Sequence, residues 1–254
     1  TATQHPRAGA AEQRRGLRFD GPQNESNSDN IQVTYNGQNA VKPVNLGTED
    51  FTLCAWIRSE DSGTRYQTIF ENGYNPGYSL YVTHEAQNGV LKFWLDNEYL
   101  LGNMDLRDSQ WHHVMVVRKS YASDGDIILY IDGVQDASVI GSSHWDDSAD
   151  HNGPFTIGGI VGEDNYSFNG LIDDVRVYTR AFSPRETVAL YNETKDGGYG
   201  DLAAPVRRFH NIQLPNLAPT AVELTNKVDT LADDTHTGSA LKIADIVVTD
   251  EGAG

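Results

Sequence analysis

The most constraining feature of this sequence is its punctuation. From Leu17 to Tyr178, short runs of alternating apolar and polar residues are repeatedly cut off by Gly, Asn and Asp. The runs include FTLCAWIRS (51–59), GYSLYV (77–82), VLKFWLD (90–96), WHHVMVVRK (111–119), DIILYIDGV (126–134), PFTIGGIV (154–161) and NGLIDDVRVY (169–178). They are rich in Val, Ile, Phe, Tyr and Trp, side chains that suit a pleated, half-buried surface. Period-two alternation turns one face of each run toward a core and the other toward solvent. Asp132-Gly133, between DIILYI and VQDASVI, is the dipeptide of a two-residue hairpin turn. The pattern predicts an all-β, antiparallel sandwich of about a dozen short strands. One segment breaks the rule. SPRETVALYNE (183–193) reads as a short C-terminal helix, with Ser183 as cap, Pro184 at the first position and Glu186 completing a capping box. Val188, Leu190 and Tyr191 are its apolar side chains for packing on the sandwich.

Flanking composition predicts four parts. Residues 1–16 read as linker or disordered chain, 17–196 as the domain, 197–216 as a Gly- and Pro-bearing linker, and 217–254 as a further β segment. That last piece is too short for an independent sandwich. The lack of an initiator Met and of an apolar signal core makes the N-terminus read as internal to a longer protein. No apolar run reaches the ~20 residues of a membrane-spanning helix, so direct membrane insertion is not expected. Lys plus Arg number 19 against 36 Asp plus Glu, a net charge of −17. Such acidity opposes nucleic acid and anionic membranes as partners, and suits oxygen ligation of calcium. Cys54 stands alone, which excludes a disulfide framework. Inside its strand, beside Trp56, it reads as a small core residue.

The segment Leu17–Asn192 resembles laminin-G-like, concanavalin A-like jelly-roll modules. The resemblance is carried by LRFDG (17–21), FTLCAWIR (51–58), WHHVMVV (111–117), LYIDGV (129–134) and FNGLIDDVRVYTRAFSPRETVALYN (168–192). The C-terminal residues resemble the opening strands of cadherin-like repeats in bacterial surface adhesins, through NLAPTAVELTN (216–226) and LKIADIVVTDEGAG (241–254). These resemblances imply a structural calcium held by the positions of Asp20 and Asp173. Asp29 and Asn169 are further candidate metal ligands, from an oxygen pool that also holds Asn30 and Asp174. An insert after FDG (PQNESNSDN) departs from the family pattern at Asp29. Asp173 or Asp174 acting only as a strand terminator is the alternative.

Recognition candidates lie in the loops between strands. SSHWDDSADHNG (142–153) sets Trp145 among Asp146, Asp147, Asp150 and Asn152. An aromatic ring stacks on a pyranose while acids and amides bind its hydroxyls. A second calcium on the acids, or a merely solvated acidic loop, are the other readings. Tyr74, Asn165 and Tyr166 extend the ligand candidates in neighbouring turns. His112 and His113 are adjacent in a strand and point to opposite faces, so they cannot share one ion; packing of Trp111 and His113 is expected instead. The sequence lacks an E-x-D-x-E strand, a G-x-S-x-G elbow, a P-loop and an H-E-x-x-H motif. The expected function is therefore a non-catalytic, calcium-dependent recognition module of a secreted or cell-surface bacterial protein, an adhesin. Its partners are a glycan or extracellular protein and the neighbouring domains of its own chain. A purely structural spacer, or the accessory domain of a glycoside hydrolase, is the alternative.

Overall fold

The structure is a computed structural model. It describes residues 14, 16–21, 30–33, 44–60, 65–73, 77–84, 87–120, 125–142, 149–150, 153–196, 207–209, 221–225 and 245–249. The alternating runs become strands of two antiparallel sheets. One contains β1 (Leu17–Asp20), β3 (Phe51–Ser59), β8 (His112–Ser120), β9 (Gly125–Ile131), β10 (Val134–Ser142) and β12 (Asn169–Tyr178), in the order β1-β12-β3-β8-β9-β10. The other contains β2 (Ile31–Val33), β4 (Gln67–Asn72), β5 (Tyr78–Val82), β6 (Val90–Leu95), β7 (Glu98–Asp105) and β11 (Phe155–Ile157), in the order β2-β11-β4-β5-β6-β7. The all-β sandwich with one short helix read from the sequence is thus the observed fold.

The apolar members of each alternation meet between the sheets. Phe51, Leu53, Ala55 and Ile57 of β3 face Leu80, Val82, Leu91 and Phe93 of β5 and β6 in one fully buried cluster. Asp132 and Gly133 turn β9 into β10 with φ of 52° and 77°, the paired left-handed geometry that Asp-Gly adopts cheaply. Strand β11 stops at Ile157 because Gly158 takes a φ of +84°, with the Phe19 ring 2.0 Å from where a Cβ would stand.

The helix α1 (Pro184–Thr194) has the expected capping box, with Ser183 and Glu186 satisfying each other's backbone N–H groups. It packs on the outer face of the first sheet, which is seven-stranded once β13 (Arg207–Phe209) beside β12 is counted; there Leu190 joins Cys54, Met115, Val117, Ile128 and Tyr178. Cys54 is accordingly a buried core thiol. Val188, expected to pack, is instead 45% exposed; Thr187, Leu190, Tyr191 and Thr194 form the buried face.

Two departures concern the flanks. Arg14 lies in the stretch read as linker, yet it is buried against the domain. Strand β13 (Arg207–Phe209), within the second expected linker, pairs with Val175–Val177 of β12 and continues the edge begun by β1. In the C-terminal segment, β14 (Ala221–Thr225) and β15 (Asp245–Thr249) form an antiparallel pair.

Candidate functional site

Helix α1 covers one face of the sandwich. The outer face of the six-stranded sheet carries the chemistry. Alternation sends Tyr78, Leu80 and Val82 into the core and leaves Ser79 and Tyr81 outward; likewise Phe93 goes in while Lys92 and Trp94 stay out. Register then aligns one residue per strand into a row, Gln32–Thr156–Glu71–Ser79–Trp94–Tyr99, crossing β2, β11, β4, β5, β6 and β7. At an interstrand spacing of ~4.8 Å the row is about 24 Å long. A second row, Thr68–Tyr81–Lys92–Leu101, runs beside it.

The floor of this face is polar and incompletely bonded. Among the described residues, the buried Thr68 Oγ1, Glu71 Oε2, Ser79 Oγ and Thr156 Oγ1 atoms meet no hydrogen-bond partner. Leaving one such group unsatisfied costs ~1–3 kcal/mol. Four neighbours on one sheet face are therefore a standing demand for ordered water or a ligand's hydroxyl groups. Burial pushes the Glu71 carboxyl up to about 7, helped by the negative charge of Glu163. Near neutrality it can donate as well as accept a hydrogen bond.

The rest of the face is aromatic. Trp94 and Tyr99 stack with centroids 5.8 Å apart and planes 9° from parallel. Tyr66 and Tyr166 stack at 5.4 Å and 10°, and Tyr81 and His84 meet Tyr66 edge-on. Tyr166 is placed by the one-turn 3-10 helix Asp164–Tyr166. Tyr99 is 50% exposed, so its ring is open to an incoming molecule. Flat rings beside unsatisfied hydroxyls and a titrating carboxyl can bind a pyranose: the ring takes its apolar face, the floor its hydroxyl groups.

The family model for the concanavalin A-like lectin/glucanase superfamily, laminin-G type, matches residues 26–187, well over half of the chain. The chain belongs to this superfamily. Among curated proteins, this laminin-G-like domain is 25% identical to human neuronal pentraxin receptor over 150 residues, 57% of the chain but only 29% of the receptor's length. Among solved structures it resembles a heptameric pentraxin of Limulus polyphemus, with TM-score 0.49 and 18% identity over 68% of this chain and 80% of that one. Domains LG4-5 of the mouse laminin α1 chain give TM-score 0.46 and 18% identity, covering 67% and 44% of the respective chains.

The structure does not bring Asp20 and Asp173, the expected calcium ligands, to one ion. Asp20 is the register partner of Asn169, while Asp173 lies four residues further along β12, roughly 13 Å away at ~3.3 Å per residue. Each carboxylate also has a cation of its own. Asp20 accepts from Arg18 Nε at 2.9 Å at an exposed position, and Asp173 accepts from Arg14 at 2.8 Å in the interior. Among the described residues no three His, Cys, Asp or Glu side chains are grouped to hold a metal. Asn169 donates its backbone N–H to Gln67 Oε1 at 3.0 Å. Asp174 forms a buried ion pair with Arg176.

Asp29, Tyr74, Trp145, Asp146, Asp147 and Asn152 lie outside the described residues. Beside them, Asp150 accepts the Gly47 N–H at 2.8 Å. Asn165 is exposed and accepts the Tyr66 N–H through its carbonyl at 3.1 Å. Of the two expected ligand residues among the described ones, Tyr166 is built into the aromatic face. Glu71, Ser79, Lys92, Trp94 and Tyr99 were not singled out from sequence. Their signal was there: the outward positions of GYSLYV and VLKFWLD are serine and aromatics with one lysine, unlike an ordinary solvated face.

The adjacent histidines divide as their strand geometry requires. His112 Nδ1 is 2.8 Å from Asp132, and Nε2 is 3.2 Å from Asp108. Burial opposes its charge, but the two carboxylates prevail and lift it to about 9. Asp132 also accepts the His113 N–H at 2.9 Å, so His112 braces the hairpin turn. His113, on the other face, lies 5.3 Å from the Trp56 ring. Burial, with the charges of Arg176 and Arg14, keeps it neutral with a pKa of about 3.

Proposed function

We propose that the outer face of the six-stranded sheet is a glycan-binding surface. On this reading the protein is a non-catalytic recognition module of a secreted or cell-surface multidomain bacterial protein, acting as an adhesin. The row of Thr156, Glu71, Ser79, Trp94 and Tyr99 carries the reading. It sets unsatisfied hydroxyls and stacked rings on one extended sheet face, chemistry that matches a saccharide's alternating polar and apolar surfaces. Membership of a lectin-containing superfamily and a receptor among the relatives support it. Hydrolysis by a carboxylate pair on one strand is not supported, because β4 carries Glu71 as its single acid. Calcium dependence belongs to the same reading, with Asp29 and Asn169 as candidate ligands and Asp146, Asp147 and Asp150 as the acids for a second ion.

A glycan array probed with the wild-type protein and with Trp94→Ala tests the reading. Binding to some arrayed glycan, weakened at least about tenfold in Trp94→Ala, is expected, since truncating an aromatic anchor commonly costs ~2 kcal/mol or more. If no arrayed glycan is bound, the proposal fails. Repeating the positive spots in EDTA decides the calcium dependence.

A further inference from the structure

We propose that Lys92 and the rings around it form an anion subsite within this face, taking a uronate carboxylate or a sulfate ester of an acidic saccharide. The inference rests on the glycan-binding reading and adds the ligand's charge to it. Lys92 is only 6% exposed. Its Nζ lies 4.1 Å from the Tyr99 ring centroid, 5.1 Å from Trp94, 5.5 Å from Tyr81 and 5.7 Å from Tyr66. Those rings attract the charge, but an ammonium also has three N–H donors to place. Among the described residues no acceptor or counter-ion meets them, although the chain as a whole has net charge −17. Partial burial weakens the hydration of the ammonium and draws the Lys92 pKa down, so an acceptor that reaches its donors is favoured. An arriving anionic oxygen supplies both the countercharge and the acceptors.

The placement specifies the ligand further. An aromatic cage of this kind suits a cation, but here the chain's own lysine fills it, so a cationic ligand is excluded. Lys92 shares its face with Trp94, two residues along β6, and with Ser79 on the adjacent strand. An anionic substituent on Lys92 therefore belongs to a sugar ring that lies over Trp94 and Tyr99. The overall negative charge repels polyanions at long range. Acidic-glycan binding by this protein thus depends on a local cation rather than on a general field.

The test uses an array holding neutral glycans, uronate-bearing glycans and sulfated glycans, with the wild-type protein, Lys92→Gln and Lys92→Arg. The expected result is wild-type binding to uronate or sulfated glycans, reduced at least tenfold in Lys92→Gln and largely kept in Lys92→Arg. The two acidic classes distinguish carboxylate from sulfate. Binding to neutral glycans that is equal in wild type and Lys92→Gln, yet lost in Trp94→Ala, overturns the anion subsite and leaves the recognition surface standing. No binding of any glycan overturns both. Melting curves monitor folding of the variants. Should Lys92→Gln not fold, competition on the wild type decides. Inorganic sulfate or acetate must then displace the acidic glycan, and chloride at equal ionic strength must displace it less; equal displacement overturns the proposal.

Discussion

Arg14 and Asp173, 159 residues apart in sequence, form an ion pair at 2.8 Å with both side chains almost wholly buried. The guanidinium lies 4.1 Å over the Trp56 ring and also donates to the Thr194 carbonyl. One side chain thereby ties the start of the domain to β12, to the core tryptophan of β3 and to the end of α1. Burial raises the Asp173 carboxyl to about 6, and the charge of Arg14 opposes that rise. Removing one partner of a buried pair strands the other and costs ~3–5 kcal/mol. Asp173→Ala is expected to lose that much stability by denaturant melt. The loss should be the same in calcium and in EDTA; a loss seen only in calcium would return Asp173 to metal ligation.

The cap of α1 gives a smaller effect. The Ser183 hydroxyl accepts the Glu186 N–H at 3.3 Å, and Glu186 in turn accepts the Ser183 N–H at 2.8 Å. Ser183→Ala should cost about 1 kcal/mol. The same melts measure it, and an unchanged midpoint would show that the cap contributes nothing to the fold.

How these features were legible in the sequence differs by their range. The strands, the Asp132-Gly133 turn and the capping box are local, set by alternation, left-handed turn chemistry and a four-residue motif, and each stands where its residues predict. Register is not local. Asp20 and Asp173 looked convergent because the first and last strands adjoin, and β1 does pair with β12. Yet the pairing sets Asp20 opposite Asn169, and a four-residue offset separates the two acids. The row on the outer sheet face is hidden from the sequence for the same reason. Glu71, Ser79, Trp94 and Tyr99 sit on four different strands, and only the register brings them into one row. Trp145 stands out locally because its loop is polar, whereas Trp94 lies inside an apolar alternating run, and only its strand's orientation turns it outward.

His112 makes the hairpin brace pH-sensitive. Its folded pKa of about 9 lies above the ordinary value of 6.5. The folded state therefore binds the proton more tightly. The stabilisation is complete below about pH 6.5 and is lost as pH rises through 9. Allowing for solvent screening at the half-exposed Asp108, its magnitude is on the order of 2 kcal/mol. Thermal melts between pH 6 and 10 should show this decline in the wild type and a flatter profile in His112→Gln. Parallel profiles would mean that the two carboxylates do not hold His112 charged.

Glu71 has the same sign of pH dependence for the opposite chemical reason. Its folded pKa is raised to about 7 from the usual 4.5 because burial penalises the carboxylate. The folded state again binds the proton more tightly. Stability is greatest below about pH 4.5 as far as this group is concerned, falls as pH rises to 7, and stays reduced above it. A displacement of this size corresponds to at most about 3 kcal/mol. Glu71→Gln, which cannot ionise, should therefore be more stable than wild type at pH 8 and near wild type at pH 4.5. The same substitution keeps a donor and an acceptor on the floor, beside Ser79 and Thr156. If Glu71 serves the ligand as a neutral hydrogen-bonding group, wild-type glycan affinity should fall as pH rises from 6 to 8, while that of Glu71→Gln stays level. Equal pH profiles for binding, together with a gain in stability at pH 8, would confine Glu71 to strain in the sheet and remove it from recognition.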